Sequence, residues 1–160
     1  MNAVELAALL TKLKLDHGLM SPAKALEWAR AKATELGDPP YFLIEMLRMK
    51  KPSARQLSAA LDDALGGVDP APGVRALLGG LCAPLSRNPR LLDKLCAVLA
   101  RIGDELGPSP PEDLRQLDRF ELRLEALAAG RPAAGDSRER VLADLLALLG
   151  RFREVLRGTA

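Results

Sequence analysis

Apolar residues recur along this chain at helical spacing, most regularly near its end. Between Ser137 and Arg157, the residues Val141, Leu142, Leu145, Leu148, Leu149, Phe152, Val155 and Leu156 fall within one half of a helical wheel. Glu139, Arg140, Asp144, Arg151 and Glu154 fall on the other half. A stripe that wide needs two or three neighbouring helices to cover it, so this run reads as the central helix of a helical domain.

The same period organises the start of the chain. Asn2 is placed to cap a helix to about Leu15, with Leu6, Leu9, Leu10 and Leu13 on one face and Gly18 as its left-handed stop. Ser21 and Pro22 open a second helix that runs to Leu36 and halts at Gly37. Its inward stripe is Ala25, Leu26, Ala29, Ala33 and Leu36. Trp28 lies off that stripe, beside Lys32 and Glu35, which predicts partial burial. Pro39 and Pro40 then reset the chain, and Tyr41 to about Lys50 forms a short helix that is apolar on nearly every side. Such a helix is either enclosed or covered by a partner.

Ser53 with Gln56 makes a capping box for a fourth helix carrying Leu57, Leu61 and Leu65 and ending at Gly66-Gly67. Val68 to Gly73, VDPAPG, reads as a loop. Val74 to about Leu85 reads as a weaker helix, interrupted by Gly79-Gly80 and broken at Pro84. Asn88 and Pro89 cap a strong helix to Leu106, and Ser109, Pro110, Pro111 and Glu112 start another that reaches Ala129 and stops at Gly130. Neither strand-like alternation nor a fixed-period repeat is present. The expected fold is all-α, a compact bundle of seven or eight helices in two layers with no sheet. Residues 1–160 form a single domain in this reading, with a subdivision near 66–73 as the alternative, because Lys gives way to Arg there.

Composition narrows the class. The chain has 160 residues, 48% apolar, and a net charge of +2. That length and apolar content suffice for a sizeable core, and the charge lacks the concentrated basicity that phosphate backbones require. No run approaches a membrane span and the start lacks the layout of a secretory signal, so no membrane association and a cytoplasmic location are expected. Abundant Ala, Leu, Arg, Gly and Pro point to a bacterial source of high GC content.

Catalytic chemistry is sparse. His17 is the only histidine, and Asp16-His17-Gly18 is a helix-end sequence in which an imidazole serves the last carbonyls. Cys82 and Cys96 lack the spacing of a zinc site and read as buried thiols. The adjacent acid pairs Asp62-Asp63, Asp104-Glu105 and Glu112-Asp113 splay apart on a helix and read as solvated faces. The chain is therefore expected not to be an enzyme, and no cofactor or metal is expected.

Binding features are more concentrated. Three of the five aromatics, Trp28, Tyr41 and Phe42, lie close together in sequence with Met20, Met46, Arg48 and Met49. These are residue types enriched at interface hot spots. On the helix expected from Pro111 to Ala129, Arg115, Arg119 and Arg123 recur every fourth residue beside Asp118, Glu121 and Glu125, with Leu122 standing exposed between them. The candidate partner-binding residues are accordingly Trp28, Tyr41, Phe42, Met46, Arg48, Met49, Arg115, Arg119 and Leu122. Tyr41 to Leu65 also has the layout of a helix-turn-helix around Lys50-Lys51-Pro52, which makes a helical DNA-binding transcriptional regulator the alternative function. Asp62 and Asp63 would then face phosphate, so nucleic acid is the weaker reading.

The stretches Gly18-Leu19-Met20-Ser21-Pro22, Glu27-Trp28-Ala29, Pro39-Pro40 and Leu43-Ile44-Glu45-Met46-Leu47 add a resemblance. Together, within residues 18–65, they resemble an N-terminal pattern in small all-helical bacterial proteins, many without assigned function and some of them immunity proteins against toxins. The resemblance implies a non-enzymatic interaction module, of immunity or adaptor type, that neutralises or regulates another protein by surface contact. It carries no individual site residue across. The expected partner is another protein, a toxin among the candidates, or a second copy in a homodimer.

Overall fold

Helix ends in this chain are written in local chemistry, and the computed structural model places eight α-helices among the described residues. The structure describes the backbone of residues 1–158 and the side chains of residues 1–154. The helices are α1 (Ala3–Asp16), α2 (Pro22–Leu36), α3 (Tyr41–Arg48), α4 (Ala54–Leu65), α5 (Ala71–Arg87), α6 (Leu92–Glu105), α7 (Arg119–Ala128) and α8 (Arg138–Gly158). Among the described residues there is no strand, so the chain is all-α. None of these helices is long and apolar enough to cross a membrane.

Two capping boxes form, one of them the Ser53–Gln56 box expected from the sequence, whereas the turn that begins at Glu112 follows Pro111 with no side-chain cap from Ser109. The Asn2 side chain accepts from the Glu5 amide at 2.8 Å while Glu5 accepts from the Asn2 amide at 2.8 Å. Ser53 and Gln56 do the same at the start of α4. At the end of α1, His17 is the capping residue and is buried. Gly18, at φ +67°, then lets the Leu19 amide reach back to the Lys14 carbonyl at 2.7 Å. The same arrangement closes α7, where the Arg131 amide donates to the Ala126 carbonyl across Gly130.

The chain divides into two compact units, Met1–Gly73 and Val74–Ala160, with the division inside α5. In the first unit α1 packs mainly on α4, and α3 packs on both α2 and α4. Leu9, Leu13, Leu43, Met46, Leu57 and Leu61 are buried there. A polar clamp reinforces the α1–α4 contact. Lys12 meets Asp16 at 2.6 Å and Asp62 of α4 at 3.3 Å, and the Ser58 hydroxyl donates to the Asp16 carboxylate. Burial disfavours the Lys12 charge, but hydrogen bonding and attraction from Asp16, with the charge of Asp62, outweigh it and raise its pKa.

In the second unit α6 packs on α7 and α7 on α8. Val141, Leu145, Leu148, Leu149 and Phe152 of the long final helix are buried as the wheel requires, and Leu142 is half-buried. The remaining members of that stripe, Val155 and Leu156, lie outside the described side chains.

Two stretches depart from the sequence reading. The loop expected over 68–73 ends early, because α5 begins at Ala71, whose amide is held by the Asp69 carboxylate at 3.0 Å. The helix then continues through Pro84 to Arg87. Burial of Leu77, Leu78, Leu81 and Leu85 offsets the missing proline amide. The carbonyl that loses its donor belongs to Gly80, an exposed residue that water can reach.

The helix expected from Pro111 to Ala129 is the second departure. Only Glu112–Leu114 is helical before Arg119, as a single 3₁₀ turn, and then Arg115 is extended and Gln116 takes φ +58°. Tertiary anchors override the local helical pattern here. Arg75 grips Asp113 with two hydrogen bonds of 2.6 and 2.9 Å, Leu114 and Leu117 are buried, and the Leu117 side chain and Asp118 amide lie close to Gly103 of α6. The Arg75 hydrogen bonds hold the Asp113 carboxyl below its ordinary range, against a smaller opposing effect of burial.

Gly73 illustrates packing against propensity. A Cβ there would sit 2.5 Å from Leu9 Cγ and 3.2 Å from Leu13 Cδ1. Gly→Ala in a helix ordinarily gains up to about 1 kcal/mol, whereas overpacking a core costs about 1–3 kcal/mol. Leu9 is buried and cannot swing away, so the second effect should win. Gly73→Ala is expected to lower the urea midpoint read from the fluorescence of Trp28, the only tryptophan; an unchanged or higher midpoint would contradict this packing.

Candidate functional site

Four separate segments of the first unit line a groove of about 660 Å³. The first turn of α1 contributes Val4 and Glu5, the end of α2 contributes Leu36 and Asp38, the start of α3 contributes Tyr41, Phe42 and Glu45, and α4 contributes Ala60, Asp63 and Ala64. The turn between α2 and α3 sets the geometry. Gly37 at φ +69° reverses the chain, Asp38 donates its amide to Leu36 at 2.7 Å, and Pro40 is extended. Tyr41 and Phe42 therefore enter α3 beside the last residue of α2.

Apolar and acidic side chains share the lining, and its charged residues are all acidic. These are Glu5, Asp38, Glu45 and Asp63, with neither Lys nor Arg among the lining residues. Glu5 is partly committed to its cap. Among the described residues, no ion pair involves Asp38, Glu45 or Asp63. Tyr41 is 70% exposed, an unusual state for a large aromatic, whereas Phe42 is half-buried.

Of the residues singled out from the sequence, Tyr41 and Phe42 reach this groove. Trp28 is half-buried, as its place off the α2 stripe predicts, and lies outside the lining with exposed Arg48 and half-buried Met49. Met46 corrects the sequence reading. It is fully buried, on the face of α3 enclosed by its neighbours, and so offers no surface to a partner.

The charged row expected in the second unit is also corrected. Arg115 precedes the break at Gln116 and donates to the Pro110 carbonyl at 3.3 Å. Arg119 lies over the Phe120 ring, 4.7 Å from its centroid. Arg123 bridges Asp136 and Asp144 at 2.7 and 2.8 Å. The three arginines thus have three different structural tasks instead of one shared face. Leu122 is 55% exposed.

Cys96 is buried, and burial together with the charges of Asp93 and Glu121 pushes its thiol up to about 12, so it carries its proton at neutral pH. Cys82 is half-buried and also free. Among the described residues, no three His, Cys, Asp or Glu side chains are placed to hold one metal ion.

Sequence reasoning missed the groove acids. Asp63 reads from the sequence as part of a solvated pair, and Glu5, Asp38 and Glu45 carry no sequence signal of a shared site. Their shared site exists only because α1, α3 and α4 meet. Comparison of the chain with protein-family models, curated proteins and solved structures gives no match.

Proposed function

We propose that this chain is a non-enzymatic protein-interaction module that binds its partner at the groove between α1, α3 and α4. The observation that supports this most directly is Tyr41, 70% exposed on a groove of about 660 Å³ lined by apolar and acidic residues. Tyrosine supplies large contact area with few rotatable bonds, and an exposed one next to a concave surface suits an interface anchor. The resemblance of residues 18–65 to immunity-type proteins supports the finer reading, in which a bacterial protein neutralises a toxin or regulates a partner by surface contact.

Affinity capture from the source organism, with mass-spectrometric identification, tests this. Wild type is expected to retain one stoichiometric protein that Tyr41→Ala loses while its circular dichroism and light-scattering mass stay unchanged. If the retained protein is toxic on expression, co-expression of wild type should protect cells and Tyr41→Ala should not. A partner that is retained equally by Tyr41→Ala would defeat the reading.

Exposure of Arg48, Lys50, Lys51 and Arg55 around the α3–α4 turn favours DNA binding as a second reading. Asp62 and Asp63 are exposed on α4, the helix that would enter the groove, and oppose phosphate. Protein binding is therefore preferred.

A further inference from the structure

The first unit carries as many Lys and Arg as Asp and Glu residues, yet all four charged residues lining its groove are acidic. Helix dipoles do not cancel this charge. The starts of α1 and α3 each contribute roughly +0.5 charge and the end of α2 roughly −0.5, against four formal negative charges. The same groove is lined by apolar Val4, Leu36, Phe42 and Ala60 and by exposed Tyr41. An anionic or purely apolar occupant would leave Asp38, Glu45 and Asp63 desolvated without partners, which disfavours it.

We propose that the groove takes a cationic amphipathic segment of a partner protein, with apolar side chains on Phe42 and Leu36 and flanking Lys or Arg side chains on Asp38, Glu45 and Asp63. This inference rests on the interaction reading and adds the chemistry of the partner. Ion pairs of this kind contribute modest affinity individually, but they select sign and make binding salt-dependent. The apolar anchor supplies most of the affinity. General attraction cannot substitute for the groove, because the whole chain carries a net charge of +2 and repels cations on average.

The probe is a fluorescein-labelled amphipathic peptide of Leu and Lys, about 14 residues long, and its counterpart with Glu in place of every Lys. Anisotropy should report binding of the Leu/Lys peptide, weakening as salt rises, and far weaker binding of the Leu/Glu peptide. The triple variant Asp38→Asn, Glu45→Gln, Asp63→Asn should bind about tenfold more weakly, and Tyr41→Ala roughly thirtyfold. Circular dichroism of both variants should match wild type. Equal binding of the two peptides, no binding of the Leu/Lys peptide, or equal affinity of the triple variant and wild type would overturn the proposal. Self-association of wild type that Tyr41→Ala abolishes would also overturn it, by making a second copy the occupant. The two levels separate in the capture experiment. A captured partner lost in Tyr41→Ala but held equally by the triple variant removes only the charge inference, and a partner indifferent to Tyr41 removes the interaction reading itself.

Discussion

Phe120→Ala should remove about 3–5 kcal/mol of stability, the usual cost of emptying a large aromatic site in a packed interior. Phe120 is the largest of the fully buried side chains among the described residues, at 0% exposure in the first turn of α7. It follows the buried Leu114 and Leu117, which hold the irregular segment between α6 and α7. Loss of the ring would empty the site that anchors this segment to α7 and would also remove the surface beneath the Arg119 guanidinium. The cation–π contact is the smaller part, about 0.5–1 kcal/mol, so Arg119→Gln should lower the urea midpoint far less than Phe120→Ala. Urea unfolding followed by far-ultraviolet circular dichroism measures both. Equal losses in the two variants would mean that the ring's burial is not what stabilises this region.

The features legible in the sequence are those that depend on neighbours along the chain. Asn2, Ser53 with Gln56, and Gly18, Gly37 and Gly130 mark helix ends because a cap or a left-handed residue acts within one turn. Pro84 and the Pro111 start misled for the opposite reason. Each local signal is real, but burial of Leu81 and Leu85 carries α5 through its proline, and the Arg75–Asp113 pair with the burial of Leu117 breaks the expected helix at Gln116. The candidate site was half legible. Hot-spot residue types mark Tyr41 and Phe42, but a helix apolar on every side has no stripe to say which residues point inward. That choice is made by α2 and α4, which cover Leu43 and Met46 and leave Tyr41 out.

The same division predicts opposite outcomes for two residues of α3. Met46 is fully enclosed, and Met46→Ala should cost about 2–5 kcal/mol, read as a lower urea midpoint in the fluorescence of Trp28 on the adjoining α2. Tyr41→Ala removes a mostly exposed ring and should stay within about 0.5 kcal/mol of wild type. Binding should follow the reverse order at temperatures where both variants are folded. Tyr41→Ala would lose the partner outright, and Met46→Ala would lose it only through the loosening of Phe42, one turn earlier on the same helix. Met46→Leu separates support from contact. It nearly conserves volume and should cost less than about 1.5 kcal/mol, so a residue that only supports the groove should tolerate it with binding unchanged. A Met46→Leu protein that is folded, stable and unable to bind would place Met46 at the interface after all, and would require α3 to turn its buried face outward on binding.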